Sequence, residues 1–209
     1  KIEVIYPGVD PALQPVTDED VLTAVLHKYN ITPPYLLYLS TLQPRKNLVR
    51  LIQAYAASGL PQQLVLAGKP GWLAQPILDE ISHQSSVISN RIVVTGFIDE
   101  TDKAALLSGA TAVLYPSLYE GFGFPVLEAQ ACGTAVLTAN TSSLPEVAGD
   151  AALLVDPLDT AAITQGMQRL VQDEAYRHKL VQRGFENVKR FNWADTAVQV
   201  LDTLEKASQ

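Results

Sequence analysis

Seven times along this chain a short run of aliphatic and β-branched residues is followed by a stretch long enough for a helix. The runs are IEVIY (2–6), YLLYLS (35–40), QLVLA (63–67), RIVVT (91–95), TAVLY (111–115), TAVLT (134–138) and AALLV (151–155). They are near-continuously apolar rather than alternating, as strands are when helices cover both faces of a parallel sheet. The intervening segments predict helices near 47–57, 73–83, 101–109 and 125–132. After Val155 the chain reads as wholly helical, over 160–172, 174–190 and 193–206. Such alternation predicts an α/β fold: one doubly wound, Rossmann-like parallel sheet. Ligands of such sheets sit beyond the carboxyl ends of the strands, so the loops that follow the strands carry the functional information.

Composition narrows the classes of ligand. The chain has 209 residues, no low-complexity linker and no repeat, which fits a single domain. A net charge of −7 offers no nucleic-acid surface, and any anionic ligand must be held by a local cluster of cations. Cys132 is the only cysteine, which excludes an internal disulfide and suits a reducing, cytoplasmic compartment. No apolar run approaches the roughly 18 residues of a spanning helix. The chain opens on KIEVIYPGVD with Met167 as its one methionine, so it is expected to be a piece of a longer protein.

Each post-strand loop admits a functional and a plain reading. TLQPRKNL follows the 35–40 run. Arg45 and Lys46 at its turn, with Asn47 as N-cap, would make an anion site at a helix N-terminus. Charge-assisted hydrogen bonds of about 1.5–3 kcal/mol each would outweigh the diffuse repulsion of an acidic surface. The plain reading is a solvated Arg–Lys pair. GKPGW follows the 63–67 run: Gly68 permits close backbone approach to a ligand and Lys69 adds charge, but the ending of a P-loop is lacking and a simple turn explains it. In GFID, Gly96 turns the chain, Asp99 caps the next helix, and Phe97 with Ile98 offer either an apolar slot for a flat base or a hydrophobic staple.

The stretch PSLYEGFGFPVLEAQACGTAV (116–136) is the most informative. Pro125 suits a helix start, which places Glu128 in the first turn and Glu120 in the preceding loop. Gly121 and Gly123 let backbone amides approach a ligand. A carboxylate accepts hydrogen bonds from hydroxyls and repels phosphate. Two carboxylates flanking an amide nest therefore describe a ligand with hydroxyls on either side of an anionic middle, as in a nucleotide sugar. The competing reading gives Glu128 a helix-dipole role worth about 0.3–1 kcal/mol and leaves Glu120 solvated. Elsewhere, Ser143 and Glu146 have the spacing of a capping box, Gly133 reads as a helix C-cap and Cys132 as a buried apolar residue. His27, His83 and His178 fall in predicted helices, no ligand spacing suggests a metal, and no general base is evident.

In the order PRKN, LAG, TGFI, SLYEGFGFPVLEAQACGTAV and LPEVAGDAALLVDP, the chain resembles the nucleotide-sugar-binding, C-terminal half of retaining GT-B glycosyltransferases, group 1 or family 4. The two glutamates with seven residues between them are the most specific part of the likeness. The resemblance implies that Glu128 holds ribose hydroxyls. Glu120 would lie by the donor sugar, with the backbone of Phe122, Gly123 and Phe124 around its hydroxyls. It assigns the diphosphate to Arg45 and Lys46, with the Val126 and Leu127 amides, and the base pocket to Gly96–Ile98, beside the Gly68 loop. It implies a nucleoside diphosphate sugar as co-substrate, GDP-mannose favoured, with no metal or other cofactor. The acceptor, a saccharide or lipid-linked saccharide, would sit on an N-terminal domain that this chain lacks. A lipid-linked acceptor would bring the whole enzyme to the inner face of the membrane. Ser40 and Thr41 depart from the family pattern, which often has glycine there followed by arginine. Two alternatives stay open: a sugar-nucleotide epimerase or hydrolase on the same scaffold, and a non-catalytic nucleotide-binding module.

Overall fold

A computed structural model describes residues 2–208. Chain order is α1 (Glu19–Lys28), β1 (Tyr35–Leu39), α2 (Leu48–Ser58), β2 (Gln63–Ala67), α3 (Gln75–His83), α4 (Ser86–Ser89), β3 (Ile92–Gly96), α5 (Lys103–Ser108) and β4 (Ala112–Tyr115). It continues with α6 (Phe124–Ala131), β5 (Val136–Ala139), α7 (Leu144–Ala148), β6 (Leu153–Val155), α8 (Thr160–Gln172), α9 (Glu174–Val188) and α10 (Trp193–Ala207). The six strands form one parallel sheet in the order β3-β2-β1-β4-β5-β6. The continuously apolar strands are explained by this placement: Tyr35–Tyr38 of β1, Leu64–Ala67 of β2 and all of β4 and β5 are buried. Helices α2, α3 and α8 pack together, α1 packs on α5, and α6 packs on α9, so the sheet is covered by two groups of helices.

The order reverses at β1. From β1 the chain winds outward through β2 and β3, then returns to lay β4 on the other side of β1. Neighbouring loops there leave the sheet in opposite directions and open a crevice beyond the carboxyl ends of β1 and β4. The first of these loops contains Arg45 and Lys46, and the second contains Glu120.

One predicted strand does not form. Residues 2–6 have no regular structure, with Ile2 93% and Val4 67% exposed. An apolar run becomes a strand only by pairing, and here only its last residue is held: Thr196 Oγ1 donates to the Tyr6 carbonyl (2.7 Å), and just beyond the run the Val9 amide donates to the Phe191 carbonyl (3.0 Å). Conversely, α1 forms outside the helix ranges given above, although His27 reads as helical. Asp18 caps it by accepting from the Asp20 and Val21 amides at 3.0 and 3.3 Å, with His27 and Lys28 in its last turn. Helix α6 ends as expected in a Schellman arrangement, Gly133 N–H to the Gln130 carbonyl and Thr134 N–H to the Ala129 carbonyl. Cys132 is buried behind it, which pushes its thiol pKa up to about 12.

Candidate functional site

A cleft of about 410 Å³ opens beyond the strand ends, lined by Leu39–Thr41 after β1, Ala67–Lys69 after β2, Phe97, Ile98 and Glu100 after β3, Lys103 of α5, and Phe124, Pro125 and Glu128 of α6. Five of the predicted residues meet here: Gly68, Phe97, Ile98, Phe124 and Glu128. The loop read most simply as a turn after β2 is a wall of this cleft. Gly68 adopts φ +151°, and a Cβ there would stand 2.0 Å from the Ser40 carbonyl oxygen, so only glycine lets the two loops touch. Lys69 lies over the Phe97 ring, 4.4 Å from its centroid.

Arg45, Lys46 and Glu120 do not line this cleft but form a cluster of their own. Glu120 Oε1 accepts from Lys46 Nζ at 2.7 Å, and Oε2 accepts from the Arg45 guanidinium at 2.5 Å. Lys46 is 3% and Glu120 7% exposed, whereas Arg45 reaches solvent. Burial works against the Glu120 carboxylate, but the hydrogen bonds from Lys46 and Arg45 outweigh it and hold its pKa below the ordinary 4.5. Burial lowers the pKa of Lys46. The Lys46 ammonium also donates to the Tyr115 hydroxyl. The cluster borders the cleft at the Ser40–Thr41 turn, where the Tyr38 hydroxyl donates to the Thr41 carbonyl at 2.9 Å.

Glu128 has a different environment. Its carboxylate meets Lys103 Nζ at 3.1 Å, and the same ammonium pairs with Glu100 at 2.5 Å. Burial raises the Glu128 pKa above 4.5, Lys103 counters in part, and the charges of Glu100 and Asp10 add to the rise. Glu120 is paired with two cations and Glu128 shares Lys103 with Glu100; on a helix that opens KAALLS, Lys103 reads as an ordinary solvated lysine.

The loop between the glutamates is shaped by serines. Gly123 has φ +117°, a conformation that admits glycine readily, and a Cβ would come 2.9 Å from Leu144. Ser143 Oγ donates to the carbonyls of Glu120 (3.0 Å) and Phe122 (2.7 Å), and Ser142 Oγ accepts from the Glu120 amide (3.1 Å). This corrects the expected capping box: Ser143 makes no cap hydrogen bond to α7, and Glu146 accepts from the Tyr6 hydroxyl.

Three local expectations are corrected in the same way. Asn47 does not cap α2 with its side chain, which donates to the carbonyls of Pro116 (3.0 Å) and Pro157 (2.6 Å) and ties the β1 loop to the β4 loop. Asp99 pairs with Lys28 at 2.6 Å rather than capping a helix. Glu128 is the fifth residue of α6, one position deeper than expected, because the helix begins at Phe124 with Pro125 second.

Of the remaining predicted residues, Phe122 packs on Phe124 and Phe191 at centroid distances of 5.0 and 5.8 Å. Val126 and Leu127 are buried, and the Val126 amide donates to the Gly123 carbonyl at 3.0 Å. Gly96 closes β3 with φ +73°.

Comparison with known proteins gives this geometry a context. The chain is 37% identical over 188 residues to O-antigen chain mannosyltransferase B of Escherichia coli, covering 85% of this chain and 48% of that protein. Among solved structures, sucrose-phosphate synthase of Thermosynechococcus elongatus superposes with a TM-score of 0.84 at 29% identity, over 98% of this chain and 52% of that one. Anabaena HepE, solved in complex with UDP and glucose, superposes with the same TM-score of 0.84 at 22% identity, over 97% of this chain and 56% of that one, and so speaks to the fold alone. The chain thus spans about half the length of these relatives. The family profile described as "Glycosyl transferases group 1" matches residues 26–187, which hold all six strands and both glutamates, and the chain therefore belongs to the group 1 glycosyl transferases.

Proposed function

We propose that this chain is the donor-binding domain of a retaining hexosyltransferase that moves a sugar, mannose by preference and from GDP-mannose, to an acceptor hydroxyl on a further domain. The observation that carries the reading is the opposite charge of two neighbouring clusters at one crevice. Arg45, Lys46 and Glu120 sum to one net positive charge, and Lys103, Glu100 and Glu128 to one net negative charge. A diphosphate suits the first, and hydroxyl donors suit carboxylates in the second.

On this reading Arg45 and Lys46 neutralise the charge that develops on the leaving diphosphate, an electrostatic role that needs them held in advance. Glu120 keeps both cations in place and stands by the donor sugar. Glu128 accepts from the ribose hydroxyls, while Phe97 and Ile98 offer an apolar face to the base. The similarity to an O-antigen mannosyltransferase supports the choice of mannose and a role in polysaccharide synthesis. The acceptor would be a saccharide or lipid-linked saccharide. Among the described residues no helix is long and apolar enough to cross a membrane.

Calorimetric titration with GDP, UDP, GDP-mannose and UDP-glucose tests the reading. Glu128→Ala is expected to weaken nucleotide binding by about 1.5–3 kcal/mol, the scale of a charge-assisted hydrogen bond; unchanged affinity would remove its ribose role. The 209-residue chain alone should bind donor without transferring sugar, whereas the longer protein should transfer it. Binding without transfer by the longer protein would favour the non-catalytic module.

A further inference from the structure

The positive cluster has a member that no loop motif announces. Tyr115, the last residue of β4, is fully buried; its hydroxyl accepts from Lys46 Nζ, which stands off the hydroxyl end of the ring, 4.7 Å from the centroid. Tyr38 of β1 stacks on Tyr115 at 6.0 Å and 14°. The Tyr115 backbone is fixed within the sheet, with its carbonyl accepting from Thr138 Oγ1 at 2.9 Å. The two tyrosines thus form a floor beneath Lys46 at the reversal of strand order.

A lysine is a point charge on a flexible stem, and its three N–H groups have no fixed plane. When two of them are engaged, the direction of the third is set. One goes to Glu120, a carboxylate that any incoming anion would compete with for the same cations. The other goes to a neutral phenol carried by a central strand. A second carboxylate in that place would cancel the charge of Lys46 and repel a phosphate, whereas a phenol accepts the hydrogen bond and leaves the charge intact. We propose that Tyr115 is a positioning residue: its hydroxyl fixes the Lys46 ammonium, so that one N–H stays aimed at a diphosphate oxygen when Glu120 yields part of its hold. This rests on the reading of Arg45 and Lys46 as diphosphate ligands.

The charged and titratable groups facing Lys46 are Tyr115 of β4, Glu120 of the following loop and Arg45 of its own turn, with Tyr38 behind the Tyr115 ring. Burial already favours the neutral amine, so losing the phenol hydrogen bond favours it further. The loss of diphosphate affinity as Lys46 deprotonates should then begin at lower pH.

The test is calorimetric titration of the chain with UDP, GDP, uridine and guanosine across pH. Tyr115→Phe keeps the ring and removes the acceptor. It should lose about tenfold in diphosphate affinity, leave nucleoside affinity unchanged, and move the alkaline limb to lower pH. Tyr35→Phe is the control: its buried hydroxyl donates to the Leu106 carbonyl at 2.7 Å, far from Lys46, so its loss should leave both the affinity and the limb in place. Wild-type affinity for diphosphate and limb position in Tyr115→Phe, or the same change in Tyr35→Phe, overturns the positioning role and leaves the site reading standing. Equal wild-type affinity for diphosphate and nucleoside overturns the site reading first, and the positioning role with it. Should Tyr115→Phe fail to fold, ¹⁵N-lysine NMR of the wild type decides. A slowly exchanging Lys46 ammonium signal that shifts with UDP supports the tether; one exchanging like surface lysines overturns it.

Discussion

Glu120 and Glu128 stand eight positions apart on one crevice, and their surroundings push their protons in opposite directions. Glu120 is one carboxylate between two cations, and its pKa lies below the ordinary 4.5; Glu128 shares one lysine with a second carboxylate, and its pKa lies above it. Burial penalises both, so burial cannot be what separates them. The ratio of cations to carboxylates within hydrogen-bond reach does.

The contrast predicts unequal costs. Glu120→Gln leaves the almost fully buried Lys46 without a counter-charge and should cost about 3–5 kcal/mol of stability, measured by denaturant unfolding; a cost below about 1 kcal/mol would mean that Lys46 reaches solvent. Lys103→Met leaves Glu128 buried, but a carboxylate whose pKa is already raised escapes by taking a proton. The expected cost is smaller, about 1–3 kcal/mol, and equal costs for the two variants would erase the comparison.

The pH dependence separates the glutamates by sign. Glu120 releases its proton more readily folded than unfolded, so its contribution is present above pH 4.5 and is lost as pH falls through its lower folded value. Glu128 holds its proton more tightly when folded, so its contribution is largest below pH 4.5 and is lost as pH rises through its higher folded value. Subtracting the stability curve of Glu120→Gln or Glu128→Gln from that of the wild type should give slopes of opposite sign; two slopes of one sign would overturn the assignment. The smallest effect is expected for Arg45→Ala. This side chain is half exposed and its removal leaves Glu120 paired with Lys46, so stability should change by less than about 1 kcal/mol.

Most of the sheet was readable because a strand buried on both faces must be apolar throughout, and six of the seven apolar runs became strands. IEVIY is similarly apolar and forms no strand, because pairing depends on a neighbour that local composition does not name. Helix α1 had its signal both at its ends, in Asp18 and in His27–Lys28, and in the helical spacing of Leu22, Val25, Leu26 and Tyr29, which pack on the core. In the site, the residue types and the loops that carry them were legible: Arg45, Lys46, Glu120 and Glu128 each follow or begin a rim element as read. Their partners were not. Lys103, Tyr115, Ser142 and Ser143 are common residues in unremarkable local contexts, and they meet the glutamates only across elements.

The sequence by itself determined a parallel α/β sheet with its chemistry gathered on the loops beyond the strands, because burial period and turn residues are local properties. Only the tertiary structure decided which cation meets which carboxylate. Strand order places Tyr115 under Lys46 and α5 beside α6, and charge in a buried site is settled by what lies within a few ångströms in space, whatever its distance along the chain.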